Sequence, residues 1–312
     1  MQVAASHLGV SRVMVEKDYW VTESLRELAR GHREQFVFKG GTSLSKCFDL
    51  VHRFSEDIDL LLTDVLSTRG ERDRAMNAMV DTVTSAIPLS ARPLRSNRGV
   101  SRDVDLTWPG VQPNAGSTFT GITPAIRLEM GMRGSHLPNV DRPVTSLLVK
   151  ALMQLDLAVA MKVISEAEQK PFLVPTLHPG RTLVEKLLLL TELAERLVRG
   201  DMSRLPARQG RHIYDVICLL GSNDVLEFLD DRDGFLAAVQ HAQAVSSEHW
   251  GTETQRPADG FSASLIITGG SAVSDAFAAA YAADLPPMLM GDAPLPAISQ
   301  LASRISDLAD RL

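Results

Sequence analysis

The sequence predicts an α+β fold, with a mixed β-sheet and helices over residues 1–180 and a mainly α-helical C-terminal domain over 181–312. Two observations lead there. Short β-favouring runs, Phe36-Val37-Phe38, Ser55 to Leu62, Val104 to Trp108, Ile126 to Met132 and Phe172 to Leu177, all precede Pro179-Gly180, with helical patterns between them. Beyond that dipeptide the β pattern stops, and Leu183, Leu187, Leu190 and Leu193 recur on related helix faces. With 312 residues and 45% hydrophobic content, the chain can build a substantial core as one large domain or two ordinary ones.

In chain order, Ser11 to Arg30 carries apolar residues at helical spacing, with Ser11 placed as an N-cap and Gly31 as a stop. Phe36-Val37-Phe38 reads as a strand ending at a Gly40-Gly41 turn, after which Thr42-Ser43 opens a helix to about Val51. Ser55 to Leu62 alternates and then becomes apolar, as a strand entering a core does. Val104 to Trp108 and Ile126 to Met132 follow as strands around a Gly/Pro/Asn-rich loop, for a sheet of at least four members. From residue 222 the pattern is Ala-rich and helical, broken at Gly251 to Gly260 and at Gly269-Gly270, without repeats or low-complexity tracts.

Composition excludes several classes. No apolar run approaches the roughly 18 residues of a membrane span, and Met1 to His7 lacks a signal-peptide pattern, so a cytoplasmic protein without a membrane partner is expected. Cys47 and Cys218 are too few for a disulfide framework or a thiolate site, and both are expected as buried small hydrophobes. A net charge of −6 argues against nucleic-acid binding by the whole surface. Locally, Arg196, Arg199, Arg204, Arg208, Arg211 and His212 face only Glu195 and Asp201, either a solvated helix end and loop or a phosphate-binding patch.

Asp57 and Asp59 lie two apart on the predicted strand, so both carboxylates project from one face and can share a hard divalent cation. Just upstream, Gly40-Gly41-Thr42-Ser43 sits where a strand hands over to a helix N-terminus, and its backbone N–H groups can cradle a triphosphate. Taken separately, the two motifs also read as a solvated strand end and a capped tight turn. Together, in this order, they resemble the polymerase-β-like nucleotidyltransferase fold. Such a site takes a third acid from a neighbouring strand, and Glu129 is so placed, unless it merely pairs with Arg127 or Arg133.

The resemblance then narrows. Glu16-Lys17-Asp18-Tyr19-Trp20-Val21-Thr22, Phe38-Lys39-Gly40-Gly41-Thr42-Ser43-Leu44, Arg53-Phe54-Ser55-Glu56-Asp57-Ile58-Asp59, Arg181-Thr182-Leu183-Val184-Glu185-Lys186-Leu187 and Arg211-His212-Ile213-Tyr214-Asp215 resemble the successive signatures of the AbiEii/AbiGii toxin family, which includes the mycobacterial MenT toxins. The match runs from about residue 11 to 220, and more loosely through Ala282 to Asp284 and Met288 to Gly291. It implies a toxin of a toxin–antitoxin pair that transfers a nucleotide from an NTP, with Mg²⁺ or Mn²⁺, to an acceptor such as the 3′ end of tRNA. By the same resemblance Asp57 and Asp59 bind metal, Lys186 contacts nucleotide phosphates, and Asp215 is a further catalytic acid; Glu129 joins them as the third acid. Arg204, Arg208 and Arg211 would hold RNA phosphates. Ser55 matches a serine that an antitoxin phosphorylates in some relatives, while its local reading is a turn serine making a hydrogen bond.

From the residues alone, Lys186 also reads as a snorkelling lysine paired with Glu185 or Glu192, and Asp215, at the edge of an apolar run, requires a partner such as Arg211 or Lys186. Other readings of the chain are transfer of a nucleoside monophosphate to a protein hydroxyl, a phosphatase with an Asp-x-Asp nucleophile, and a helix-turn-helix DNA-binding module built on Ala5-x-x-x-Gly9.

Overall fold

The alternating runs of the first half become one seven-stranded sheet in a computed structural model that describes residues 1–109, 125–132, 134–155, 162, 164–250 and 254–312. Its strands are β1 (Phe36–Lys39), β2 (Ile58–Leu62), β3 (Ser90–Asn97), β4 (Ser101–Thr107), β5 (Ile126–Gly131), β6 (Asn139–Val144) and β7 (Phe172–Leu177), in the order β3-β4-β5-β2-β1-β7-β6. β1 runs parallel to β7 and β2 parallel to β5, whereas the other neighbours are antiparallel, which makes the sheet mixed. Helices α1 (Gln2–Leu8), α2 (Arg12–His32), α3 (Gly40–Lys46), α4 (Arg69–Ala86), α5 (Leu147–Gln154) and α6 (Glu166–Gln169) accompany it.

Period-two alternation sorts the side chains. Phe36, Phe38, Ile58, Leu60, Leu62, Val104, Leu106, Leu128 and Met130 join Val21, Leu25 and Leu28 of α2 and Met76, Met79 and Val83 of α4 in one core. Each such fully buried side chain contributes about 1.5–3 kcal/mol through burial. The residues between them, Lys39, Asp59, Asp103, Asp105, Arg127 and Glu129, belong to the opposite face of the sheet.

Ser11 caps α2 by accepting a hydrogen bond from Met14 N (3.2 Å), as its sequence position suggests. Gly31 does not stop that helix; it lies in its last turn. Gly40-Gly41 is not a turn ahead of a helix but the first two residues of α3, which ends at Lys46 and not near Val51. β2 begins at Ile58, so Asp57 stands immediately before the strand and only Asp59 within it. The sequence reading misses β3 and β6 because the two edge strands bury little and contain Pro93 and Pro143, which a central strand would exclude. Neither cysteine is fully buried: Cys47 follows α3 against the core, its thiol pushed up to about 11 by burial, and Cys218 is half-buried too. The Gly/Pro/Asn-rich loop before β5, together with Arg133 and Gly251, lies outside the described residues.

The chain forms two compact units, the first made of Met1–Met132, Pro138–Leu177 and Met290–Ala293. Met290 rejoins it by donating its N–H to His52 O (3.0 Å). The second unit consists mainly of His178–Leu289 and Pro294–Leu312. It contains α7 (Pro179–Arg199), α8 (Gly210–Leu219), α9 (Asn223–Asp230), α10 (Arg232–Trp250), α11 (Leu265–Thr268), α12 (Gly270–Asp284) and α13 (Ser299–Asp307). Gly210 opens α8 by donating its N–H to Asp284 Oδ2 (2.8 Å), and a Cβ there would run into the Ala280 carbonyl, so the two helices meet at a glycine.

A helix-turn-helix reading fits this fold poorly. Gly9 does turn the chain between α1 and α2 in the left-handed conformation. However, α1 is only seven residues long, and α2, the candidate recognition helix, buries Val21, Leu25 and Leu28 in the core. No single helix among the described residues is long and apolar enough to cross a membrane.

Candidate functional site

One transverse row of the sheet collects the charged residues. Lys39 of β1 pairs in register with Asp59 of β2, Asp59 with Glu129 of β5, and Glu129 with Asp103 of β4. Cross-strand neighbours stand about 5 Å apart on one face, so Asp59, Glu129 and Asp103 crowd like charges together. Partial burial and then the nearby Asp59, Asp57 and Asp103 carboxylates push the Glu129 carboxyl up to about 7, with Arg127 opposing them. The bland pairing of Glu129 with Arg127 is not what the sheet builds, since Arg127 Nε donates to Asp105 (3.3 Å).

The two glycines of α3 exist for their neighbours. Gly40 has φ +82°, and a Cβ on it would overlap the Asp59 carboxylate; a Cβ on Gly41 would overlap the Arg53 guanidinium. Arg53 is itself buried and donates to Phe54 O (3.2 Å). Thr42 Oγ1 donates to Ser55 Oγ (2.9 Å), and Ser43 Oγ donates to Gly40 O (2.9 Å), so both hydroxyls serve the loop locally. The first-turn N–H groups of such a helix have no intrahelical acceptor, which is the property a phosphate needs.

Lys17 and Asp18, which the sequence reading does not assign to the site, anchor this loop. Lys17, fully buried on α2, donates to Glu56 Oε2 (2.6 Å), one residue before Asp57. Asp18 bridges Lys46 at the end of α3 and accepts the Leu147 N–H (2.7 Å) at the start of α5. The signal that exposes them is charge on an apolar stripe: Lys17 shares a helix face with Val21 and Leu28, and Asp18 one with Val21 and Leu25.

In the second unit, Lys186 of α7 and Asp215 of α8 form a buried ion pair at 2.7 Å, and Lys186 Nζ lies 3.0 Å from His212 Nδ1. The partner that Asp215 requires is therefore Lys186. Arg204 is exposed, Arg208 is half-buried at φ +69°, and Arg211 lies in the first turn of α8, while Arg199 pairs with Asp201 (3.1 Å) on the surface.

Among the described residues no three His, Cys, Asp or Glu side chains are gathered closely enough to hold a metal ion. The donor chemistry of Asp57, Asp59 and Glu129 nevertheless suits a hard divalent cation, because it is all oxygen and its mutual repulsion is what a cation relieves.

Against this geometry, comparison with known proteins is informative. No curated protein matches the chain significantly. Among solved structures it is similar to MenT4, a nucleotidyltransferase toxin from Mycobacterium tuberculosis, with 15% identity, a TM-score of 0.58, and coverage of 99% of this chain and 89% of that one. At that identity the likeness shows the shared fold. The family described as nucleotidyl transferase AbiEii toxins of type IV toxin–antitoxin systems matches residues 25–304. The chain therefore belongs to the AbiEii nucleotidyltransferase toxin family, whose members use a nucleoside triphosphate and are paired with an antitoxin.

Proposed function

We propose that this toxin acts in the cytoplasm and transfers a nucleotide from an NTP to the 3′ end of a tRNA, leaving that tRNA unfit for translation. The observation that carries this reading is the Asp59–Glu129 row beside Asp57, with the Glu129 carboxyl pushed up to about 7 by burial and its acidic neighbours. Asp57 and Asp59 would hold Mg²⁺ or Mn²⁺, which when bound neutralises phosphate charge and lowers the pKa of the attacking hydroxyl. The backbone of Gly40, Gly41, Thr42 and Ser43 receives the triphosphate, with the Asp59 carboxylate against the Gly40 Cα. The acceptor hydroxyl oxygen forms a bond to the α-phosphorus as the bond to pyrophosphate breaks, and the hydroxyl proton passes to a carboxylate of the row.

The family resemblance assigns Lys186 a phosphate contact and Asp215 a catalytic role. The 2.7 Å pair supports Asp215 as the group that holds the Lys186 side chain in place. Arg204, Arg208 and Arg211 contact RNA phosphates, so Arg204→Glu with Arg208→Glu should weaken RNA binding, and unchanged binding would remove that role. A phosphate on Ser55, added by the antitoxin, would break its bond to Thr42 and set negative charge beside Asp57. Mass spectrometry after coexpression tests it: unmodified Ser55 removes the idea.

The deciding experiment incubates the protein with total tRNA, a divalent cation and each α-labelled NTP, beside Asp57→Ala and Lys186→Ala. Label on RNA, absent with both variants, is the expected result. Label on protein alone would make a protein hydroxyl the acceptor and overturn the tRNA assignment.

A further inference from the structure

The acidic row does not stop at the acids. Asp103 of β4 pairs in register with Arg95 of β3, the exposed edge strand, so the row reads Lys39, Asp59, Glu129, Asp103, Arg95 across five adjacent strands. The next row on the same face runs Arg127, Asp105, Arg92. Arg92 and Arg95 are three residues apart, and strict alternation would turn them to opposite faces. The bulge between Pro93 and Arg95 absorbs the odd residue and brings both into register with Asp105 and Asp103.

Charge on this part of the face favours an anion. One buried carboxylate, Asp105, is shared by two arginines, Arg92 Nη2 at 2.6 Å and Arg127 Nε at 3.3 Å, whose side chains remain 72% and 42% exposed. Arg95 is exposed beside them. Three strand spacings of about 4.8 Å put Arg95 roughly 14 Å from Asp59 along the row. In a chain of net charge −6, three arginines set against Asp103 and Asp105 leave this strip an excess of positive charge, with the guanidinium groups of Arg92 and Arg127 its exposed ends. Arginines on an edge strand also guard it against pairing with other chains. Guarding does not call for a bulge that turns both of them to the face of the acids.

We infer that Arg127, Arg92 and Arg95 form a phosphate track that leads the acceptor RNA strand across β5, β4 and β3 away from its reacting 3′ end. Arg127 lies on the strand of Glu129 and Arg95 at the sheet edge. Guanidinium groups suit this role because they bind phosphate oxygens in a planar, bidentate way and stay charged. The track rests on the RNA-acceptor reading proposed above.

The test uses the full chain, tRNA and a short RNA hairpin with a single-stranded 3′ tail, following binding by fluorescence anisotropy over a salt series and transfer with labelled NTP. Arg95→Gln touches no buried partner, and Arg92→Gln leaves Asp105 its Arg127 contact, so both variants should fold, with circular dichroism and melting as the check. Each lost contact should flatten the slope of log K against log salt by about 0.7, the single-strand value. The apparent KM for RNA should rise several-fold in the double variant with kcat at saturation retained, and Arg95→Lys should restore part of the loss. Wild-type transfer to RNA with unchanged slope and KM in Arg92→Gln/Arg95→Gln would overturn the track alone, leaving the arginines as edge guards. Absence of RNA binding or transfer by the wild type would overturn the RNA-acceptor reading and the track with it.

Discussion

Folding changes the chemistry of Glu129 by half-burying it among acids. Partial burial, then the Asp59, Asp57 and Asp103 charges, push its carboxyl up to about 7 from an ordinary 4.5. Below about 4.5 it is protonated folded and unfolded; between about 4.5 and about 7 the unfolded chain has released the proton that the folded chain keeps. Folding therefore loses stability as pH rises through that window, in buffer free of divalent cations. Melting temperature followed across the window should fall for the wild type, and Glu129→Gln should flatten this part of the dependence. An unchanged slope in the variant would place its source elsewhere. Gly40 makes a second residue-scale prediction. With φ +82° and the Asp59 carboxylate against its Cα, Gly40→Ala combines backbone strain with a displaced carboxylate. Denaturant unfolding should show a loss of about 1–3 kcal/mol, and nucleotide transfer should fall more than stability does.

At the scale of elements, α2 does more than fill the core. Lys17 and Asp18 tie it to the loop before β2, to the end of α3 and to the start of α5 through Glu56, Lys46 and Leu147. A buried ion pair stabilises little compared with an apolar pair, but breaking one side leaves an uncompensated charge. Lys17→Met should cost about 3–5 kcal/mol in denaturant unfolding, and Lys17→Met with Glu56→Leu should recover part of it. A double variant as damaged as the sum of the two single ones would deny the coupling. The apolar spacing of α2 and its Ser11 cap were legible in the sequence because both are local. The partners of Lys17 and Asp18 were not, because they lie 28 to 129 positions away in the chain.

For the whole molecule, the cation site proposed at Asp57 and Asp59 implies a linkage between cation and stability. A ligand that binds only the folded state at 100 times its Kd stabilises it by about 2.7 kcal/mol. Melting of the full chain should therefore rise on adding Mg²⁺ or Mn²⁺ and return on chelation, and Asp57→Ala with Asp59→Ala should abolish the response. A rise that survives both substitutions would move the cation site away from Asp57 and Asp59. In the variant the repulsion on Glu129 is also smaller, so its carboxyl should titrate lower.

The sequence by itself determined the α+β class, the central strands and the capped helix α2, because each depends on spacing within a short stretch, and its motifs carried the resemblance to the nucleotidyltransferase family. It set Asp59 and Glu129 on neighbouring strands but not in their register, and it missed β3 and β6, whose polar edge positions carry no buried face to alternate. Only the tertiary structure decided that Asp59, Glu129, Asp103 and Arg95 share one row, that Gly40 and Gly41 make room for a carboxylate and a guanidinium, and that Asp215 is paired with Lys186. Strand register and helix packing join residues remote in the chain, and these are settled by the shared core rather than by local pattern.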